Sequence, residues 1–159
     1  MSVRKINQQT IIHAAGDIYR FLATAEDTDG AYALWHATVP PGGGPPLHVH
    51  QNEDERFDIL SGIVRFRLGD DEIDAQPGDS VFAKRGTPHA FANLTHEPVV
   101  MLIHITPGGM EKMFHEFGTL VDGPEAVPQP LDKAQIQRII EVTSNYGIEI
   151  LGPPIGGAH

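Results

Sequence analysis

Pro46-Leu47-His48-Val49-His50-Gln51-Asn52-Glu53-Asp54-Glu55 is the stretch on which the reading of this chain turns. Side chains alternate with period two along an extended strand, so His48 and His50 project from one face. A carboxylate at Glu55 and a third imidazole at His89 could complete a four-ligand metal site. Glu55 stands at an odd offset from His50, and one unbroken strand would turn it to the opposite face. The polar run Gln51 to Asp54 supplies the turn or bulge that resets the register. Beyond it Glu55, Phe57 and Ile59 share a face while Arg56 and Asp58 point away, which favours Glu55 over Asp54 as the ligand.

Working outward, the histidine pair sits inside two spaced strings. The first runs from Gly42 through His48, His50 and Glu55 to Gly62. The second runs from Gly78 through Gly86 and His89 to Asn93. Around them, from Ile18 to Ile105, short apolar runs are separated by Asp29-Gly30, Ser61-Gly62, Gly69-Asp70, Pro77-Gly78 and Thr87-Pro88, the punctuation of an all-β barrel or sandwich. The Gly42-Gly43-Gly44-Pro45-Pro46 run directly precedes a strand and reads as a rigid, small-residue approach to the site. After Ile105 the pattern changes. Met110, Met113, Phe114 and Phe117 recur at helical spacing, and Asp132 with Gln135 caps a segment carrying Ile136, Ile139 and Ile140 on one stripe. The Pro/Gly-rich connection Gly123 to Pro130 joins the two, and both helices are expected on the outside of the β core.

Composition narrows the function. The chain has 159 residues, a size that suits one domain with a real core. Its formal charge of −10, with scattered Lys and Arg, argues against nucleic acid or an anionic membrane as partner. The absence of cysteine excludes disulfides and thiolate sites, so any metal is held by nitrogen and oxygen. No stretch has signal-peptide or membrane-span character, which predicts a cytoplasmic protein.

Three neutral imidazoles and one carboxylate, here His48, His50, His89 and Glu55, suit one divalent ion such as Fe(II), Mn(II), Ni(II), Co(II) or Zn(II). Four protein ligands leave room for water, substrate or dioxygen. Glu55 could also accept a proton from an acidic hydroxyl, a contribution of roughly 10²–10⁴-fold. Phe57, Phe66, Phe91, Met101 and Ile103 are the candidate substrate-contacting residues. His36 and His104 are candidates for supporting the ligands from behind, and Met113 and Phe114 for closing one mouth of the core.

In its spaced strings the sequence resembles the cupin superfamily. In PPGGGPPLHVH, the glutamate before the F-x-I-L-x-G turn and the closing YGIEILGPP, it looks most like small, quercetin-dioxygenase-like bacterial members. The resemblance implies a double-stranded β-helix (jelly-roll) barrel over about 17–107, a helical extension over about 108–159, and a single domain. It also implies a metal held by His48, His50, Glu55 and His89, with Glu55 as base, and cleavage of an enolic or phenolic small molecule, flavonol- or diketone-like, by dioxygen. A homodimer through outer strand faces, Ile63 among them, is implied as well. An isomerase or lyase using the metal as a Lewis acid, or a small-molecule binding protein without catalysis, would use the same ligands. The chain departs from the pattern at Asp58, where many relatives have tyrosine, and at Lys84, where proline is usual.

Overall fold

The computed structural model describes residues 3–123 and 131–156. Most of the Gly123 to Pro130 connection therefore lies outside the described residues. Period-two alternation gives Ile11–Ala14 (β1), Asp17–Ala23 (β2), Ala33–Val39 (β3), Pro46–His50 (β4), Asp54–Ser61 (β5), Val64–Leu68 (β6), Asp71–Ala75 (β7), Ser80–Ala83 (β8), His89–Ala92 (β9) and Val99–Thr106 (β10). The later part holds helix Lys112–Phe117 (α1), strand Thr119–Leu120 (β11), helix Lys133–Asn145 (α2) and strand Ile148–Pro154 (β12).

These strands form two antiparallel sheets. One has seven strands in the order β11-β1-β2-β3-β10-β5-β8, the other five in the order β12-β4-β9-β6-β7. The core lies between them. On β3 and β10 every second residue points inward, and Trp35 pairs with Ile103 and Ala37 with Met101. Trp35, Phe21, Phe57 and Phe66 are each under 2% exposed. Burying a phenylalanine side chain contributes about 1.5–3 kcal/mol, so this layer supplies much of the drive to fold.

Two expectations need correction. The sheets are not closed into a barrel, and their edges are blunted instead of joined. At one edge β7 exposes Asp71, Glu72 and Asp74, and at the other β8 is only four residues long, both of which discourage further strand pairing. Nor is the 108–159 extension purely helical. It contributes β11 to the edge beside β1, and β12 pairs along β4, the strand that carries His48 and His50. The Asp132 cap is formed as expected, with its carboxylate accepting from the Gln135 amide and the Gln135 side chain from the Asp132 amide.

The spaced glycines and Asn93 have local structural reasons. Gly62 turns β5 into β6 at φ +79, and a Cβ there would meet the Pro98 carbonyl at 2.8 Å. Asn93, with no exposed surface, donates from Nδ2 to the carbonyls of Val39 and Glu97, and its Oδ1 accepts from Thr95. Its backbone exchanges hydrogen bonds with the glycine run, Gly42 N–H to the Asn93 carbonyl and Asn93 N–H to the Gly43 carbonyl. Asn93 thus ties the end of β9 to the loop that delivers β4. Asn93→Ala takes the side-chain donor from the buried Val39 carbonyl and one of two donors from the Glu97 carbonyl, and a loss of about 1–3 kcal/mol is expected in urea unfolding.

Candidate metal centre

The site is assembled from both sheets. His48 and His50 share the inward face of β4, and His48 stands directly across from His89 on β9. Glu55 is the second residue of β5, which belongs to the other sheet. The odd offset from His50 is therefore absorbed by the chain crossing between sheets at Gln51 to Glu53, not by a bulge within one strand. Three imidazoles from one sheet meet one carboxylate from the other.

The four side chains each offer a ligand atom, all within 4.8 Å of one another. Nε2 of His48 lies 3.1 Å from Nε2 of His50, Oε2 of Glu55 lies 3.3 Å from Nε2 of His50, and the same oxygen lies 2.8 Å from Nε2 of His89. Two ligand atoms bonded to one ion at about 2.1 Å and at right angles to each other stand about 3 Å apart, so these spacings fit adjacent corners of an octahedral shell. His50 and His89 are each 2% exposed and Glu55 is 6% exposed.

The tautomers are set from behind. Nδ1 of His48 lies 2.7 Å from the Pro46 carbonyl and Nδ1 of His89 lies 2.9 Å from the Thr87 carbonyl. A carbonyl only accepts, so each Nδ1 carries a proton and each neutral ring turns a bare Nε2 toward the centre. Lone pairs then face one another and Glu55, an arrangement that a proton or a cation must relieve. Electrostatics agree. Burial, with the neighbouring His89 and His50, drives the pKa of His48 down to about 3, which keeps it neutral and ready to ligate. Burial alone would raise Glu55, but the neighbouring His50 and the hydrogen bond with His89 outweigh it and hold its pKa at about 2. Burial opposes charge on His89, yet Glu55 outweighs it and raises its pKa. The donor set fits a divalent ion, with Glu55 as its anionic member.

Glu53 is a residue that sequence reasoning missed. Read as one of several solvated charges in a polar turn, it is 7% exposed, and its Oε2 lies 3.4 Å from Nδ1 of His50. Neither atom has a hydrogen-bond partner, although both are buried. Glu53 thus stands behind His50 as Pro46 and Thr87 stand behind the other two rings. Orienting partners of this kind typically contribute 10–100-fold in metal affinity. Glu53→Ala should weaken binding by about that factor in a competitive-chelator titration, with Glu53→Gln, which keeps an oxygen, losing less. Nothing in the sequence marked Glu53 apart from Asp54; only its burial does.

Beside the four ligands lies a cavity of about 80 Å³, walled by residues of both sheets and both helices. Phe91 and Ile103 line it, whereas Phe57, Phe66 and Met101 lie in the core away from its walls. Met113 and Phe114 of α1 cover it as expected, joined by Ile139 and Thr143 of α2 and Ile148 and Ile150 of β12. Ile136 and Ile140, expected on the same stripe as Ile139, are exposed. His36 and His104 do not back the ligands. They alternate with inward Trp35 and Ile103 and face outward, where His104 stacks on Tyr32 at 5.1 Å. Asp58 also faces outward, bonded to Arg56 and Ser80, and Lys84 is exposed, so both departures from the usual pattern lie outside the cavity.

Comparison with known proteins gives the same fold. Residues 35–106 match the cupin domain family. The chain is 23% identical over 136 residues to quercetin 2,3-dioxygenase of Bacillus subtilis, covering 86% of this chain but 40% of that enzyme. It is 24% identical over 118 residues to the tetracenomycin polyketide synthase protein TcmJ of Streptomyces glaucescens, covering 73% of this chain and 79% of that protein. The crystal structure of a predicted oxalate decarboxylase from Thermotoga maritima superposes with a TM-score of 0.61 at 22% identity, over 67% of this chain and 99% of that one.

Proposed function

For a chain that carries a cupin domain over residues 35–106, we propose a metal-dependent dioxygenase that cleaves a small enolic compound. One observation carries the reading: three imidazoles and one carboxylate converge, and His48, His50 and Glu55 of that cluster stand in the wall of an apolar cavity. A divalent ion held by His48, His50, Glu55 and His89 would supply a binding position for substrate oxygen or dioxygen and Lewis acidity. The protein's own part is to present neutral imidazoles, keep Glu55 ionised, and surround the reacting oxygens with apolar walls. At about 2 the pKa of Glu55 suits a ligand better than a base, and Glu55 takes up a proton only after parting from His50 and His89.

The cavity is further from holding a flavonol than a small 1,3-diketone, and either needs more room than it now offers. A cavity of about 150 Å³ holds benzene, and this one, at about 80 Å³, is smaller than a three-ring flavonol requires unless the helices move. The resemblance to the Bacillus enzyme supports oxygen chemistry, and the oxalate-decarboxylase-like fold keeps a Lewis-acid lyase or isomerase as the second reading.

The test is to quantify bound first-row metals and follow dioxygen consumption with a panel of 1,3-diketones and flavonols. Uptake that needs both metal and His50 is the expected result. Metal binding with no uptake on any of them would overturn the dioxygenase in favour of Lewis-acid or binding roles. A protein that takes up no metal on reconstitution would overturn the centre itself. Pairing of two copies through outer strand faces is part of the same reading, supported by exposed Leu60, Ile63 and Phe82, and sedimentation velocity tests it. None of the described helices is long and apolar enough to cross a membrane.

A further inference from the structure

Opposite the histidines, the seven-stranded sheet puts an unusual polar strip into the apolar cavity wall. Trp35 on β3 and Tyr19 on β2 both line the cavity, at 1% and 5% exposure, with ring centroids 6.3 Å apart. The indole Nε1 of Trp35 is buried without a hydrogen-bond partner. The Tyr19 hydroxyl lies 3.3 Å from Oδ2 of Asp17, which is 1% exposed and whose Oδ1 is likewise unpartnered. A buried donor left unpaired is worth about 1–3 kcal/mol of lost stability, and the Trp35 indole in the cavity wall calls for an account.

We propose that Trp35 and Tyr19 are the oxygen-binding wall of the cavity. The indole N–H and the phenol O–H donate to a carbonyl or enolate oxygen of a small 1,3-dioxygenated ligand whose other oxygen lies at the His48, His50, Glu55 and His89 cluster. Asp17 is a positioning residue that orients the phenol. The inference rests on the metal reading for the second oxygen only. It gives a use to two donor-bearing residues from adjacent strands that line the same cavity as His48, His50 and Glu55. Asp17 also fits. Burial raises its pKa to about 8 against the opposing Tyr19 hydroxyl and Gly44 amide, so at neutral pH the carboxyl can donate to the phenol oxygen and leave the phenol proton for the ligand. A neutral acid behind a phenol is an arrangement that stabilises enolates in other active sites.

The probe is pentane-2,4-dione, titrated calorimetrically into Zn(II)-loaded protein so that no redox turnover intervenes. Tyr19→Phe should weaken dione binding about tenfold and leave zinc affinity unchanged, as expected for one hydrogen bond to an anionic oxygen. Asp17→Asn, which can still donate and accept, should bind within about twofold of wild type, while Asp17→Ala should resemble Tyr19→Phe. Trp35 is the only tryptophan, so its single indole N–H resonance reports directly and should move downfield when dione binds. A Tyr19→Phe protein that binds dione as wild type does, an indole resonance that does not move, or zinc-loaded wild type that takes up no dione would each overturn the proposal. Failure to bind zinc would overturn the metal reading instead, and the same Tyr19→Phe comparison and indole shift in metal-free protein would still decide whether these donors hold the ligand.

Discussion

His50→Ala is expected to abolish metal binding at stoichiometric concentrations and, with it, any metal-dependent oxygen uptake. His50 is the middle ligand, its Nε2 adjacent to both His48 and Glu55 and its Nδ1 facing Glu53. Removing it takes away one of four donors and leaves two buried carboxylates, Glu53 and Glu55, without the ring that lies between them. Of the influences that lower the pKa of Glu55, His50 is the largest, so the remaining anionic ligand also becomes easier to protonate. The loss should exceed the 10–100-fold of an orienting partner such as Glu53. A competitive-chelator titration reads it, and His36→Ala is the matched control because His36 faces outward on β3. Equal metal affinity in His50→Ala and wild type would show that the four side chains are not the metal centre.

The largest effect on stability is expected at Gly44, two residues before β4. Its φ of +129 is one that other residues rarely adopt, and a Cβ there would lie 2.1 Å from the Phe91 carbonyl oxygen and 3.0 Å from Ala92 Cα. Both obstacles are backbone of β9, which carries His89 and cannot yield without displacing it. Gly44→Ala should therefore lose about 4 kcal/mol or more, at the upper end for a single substitution, and weaken metal binding through His89. Gly42 has positive φ too, at +78, but a Cβ there would enter open space, so Gly42→Ala should lose only the conformational penalty of about 1–2 kcal/mol. Chemical denaturation of the two variants measures the difference. Similar losses at both positions would show that the close approach of the glycine run to β9 does not matter.

How much of this was legible differs residue by residue. His48, His50, Glu55 and His89 are brought together, and the strand alternation that pointed Glu55, Phe57 and Ile59 one way is the alternation in β5. The Asp132 cap was readable because its partners are three residues apart. The purpose of the glycines and Asn93 was not readable beyond their spacing. Gly44 is needed because of Phe91, and Asn93 because of Val39 and Glu97. Glu53 looked like its neighbours Asp54 and Asn52, and its burial comes from the turn between sheets. Trp35 and Ile148 reach the cavity through β3 and β12, whose partners β10 and β4 lie far along the chain, and Tyr19 reaches it through β2, between β1 and β3.

Local chemistry alone specified the strands, the turns between them, and a ligand set chosen by residue type and parity. These are short-range properties, set by side-chain alternation and by what glycine, proline and aspartate permit within a few residues. The tertiary structure decided which sheet each strand joined. It therefore decided that Glu55 meets the histidines from the opposite side, that the last strand covers the site strand, and that the sheets stay open at their edges. Those outcomes depend on contacts between residues distant in the chain, where burial and hydrogen-bond pairing of whole strands outweigh any preference a short segment has by itself.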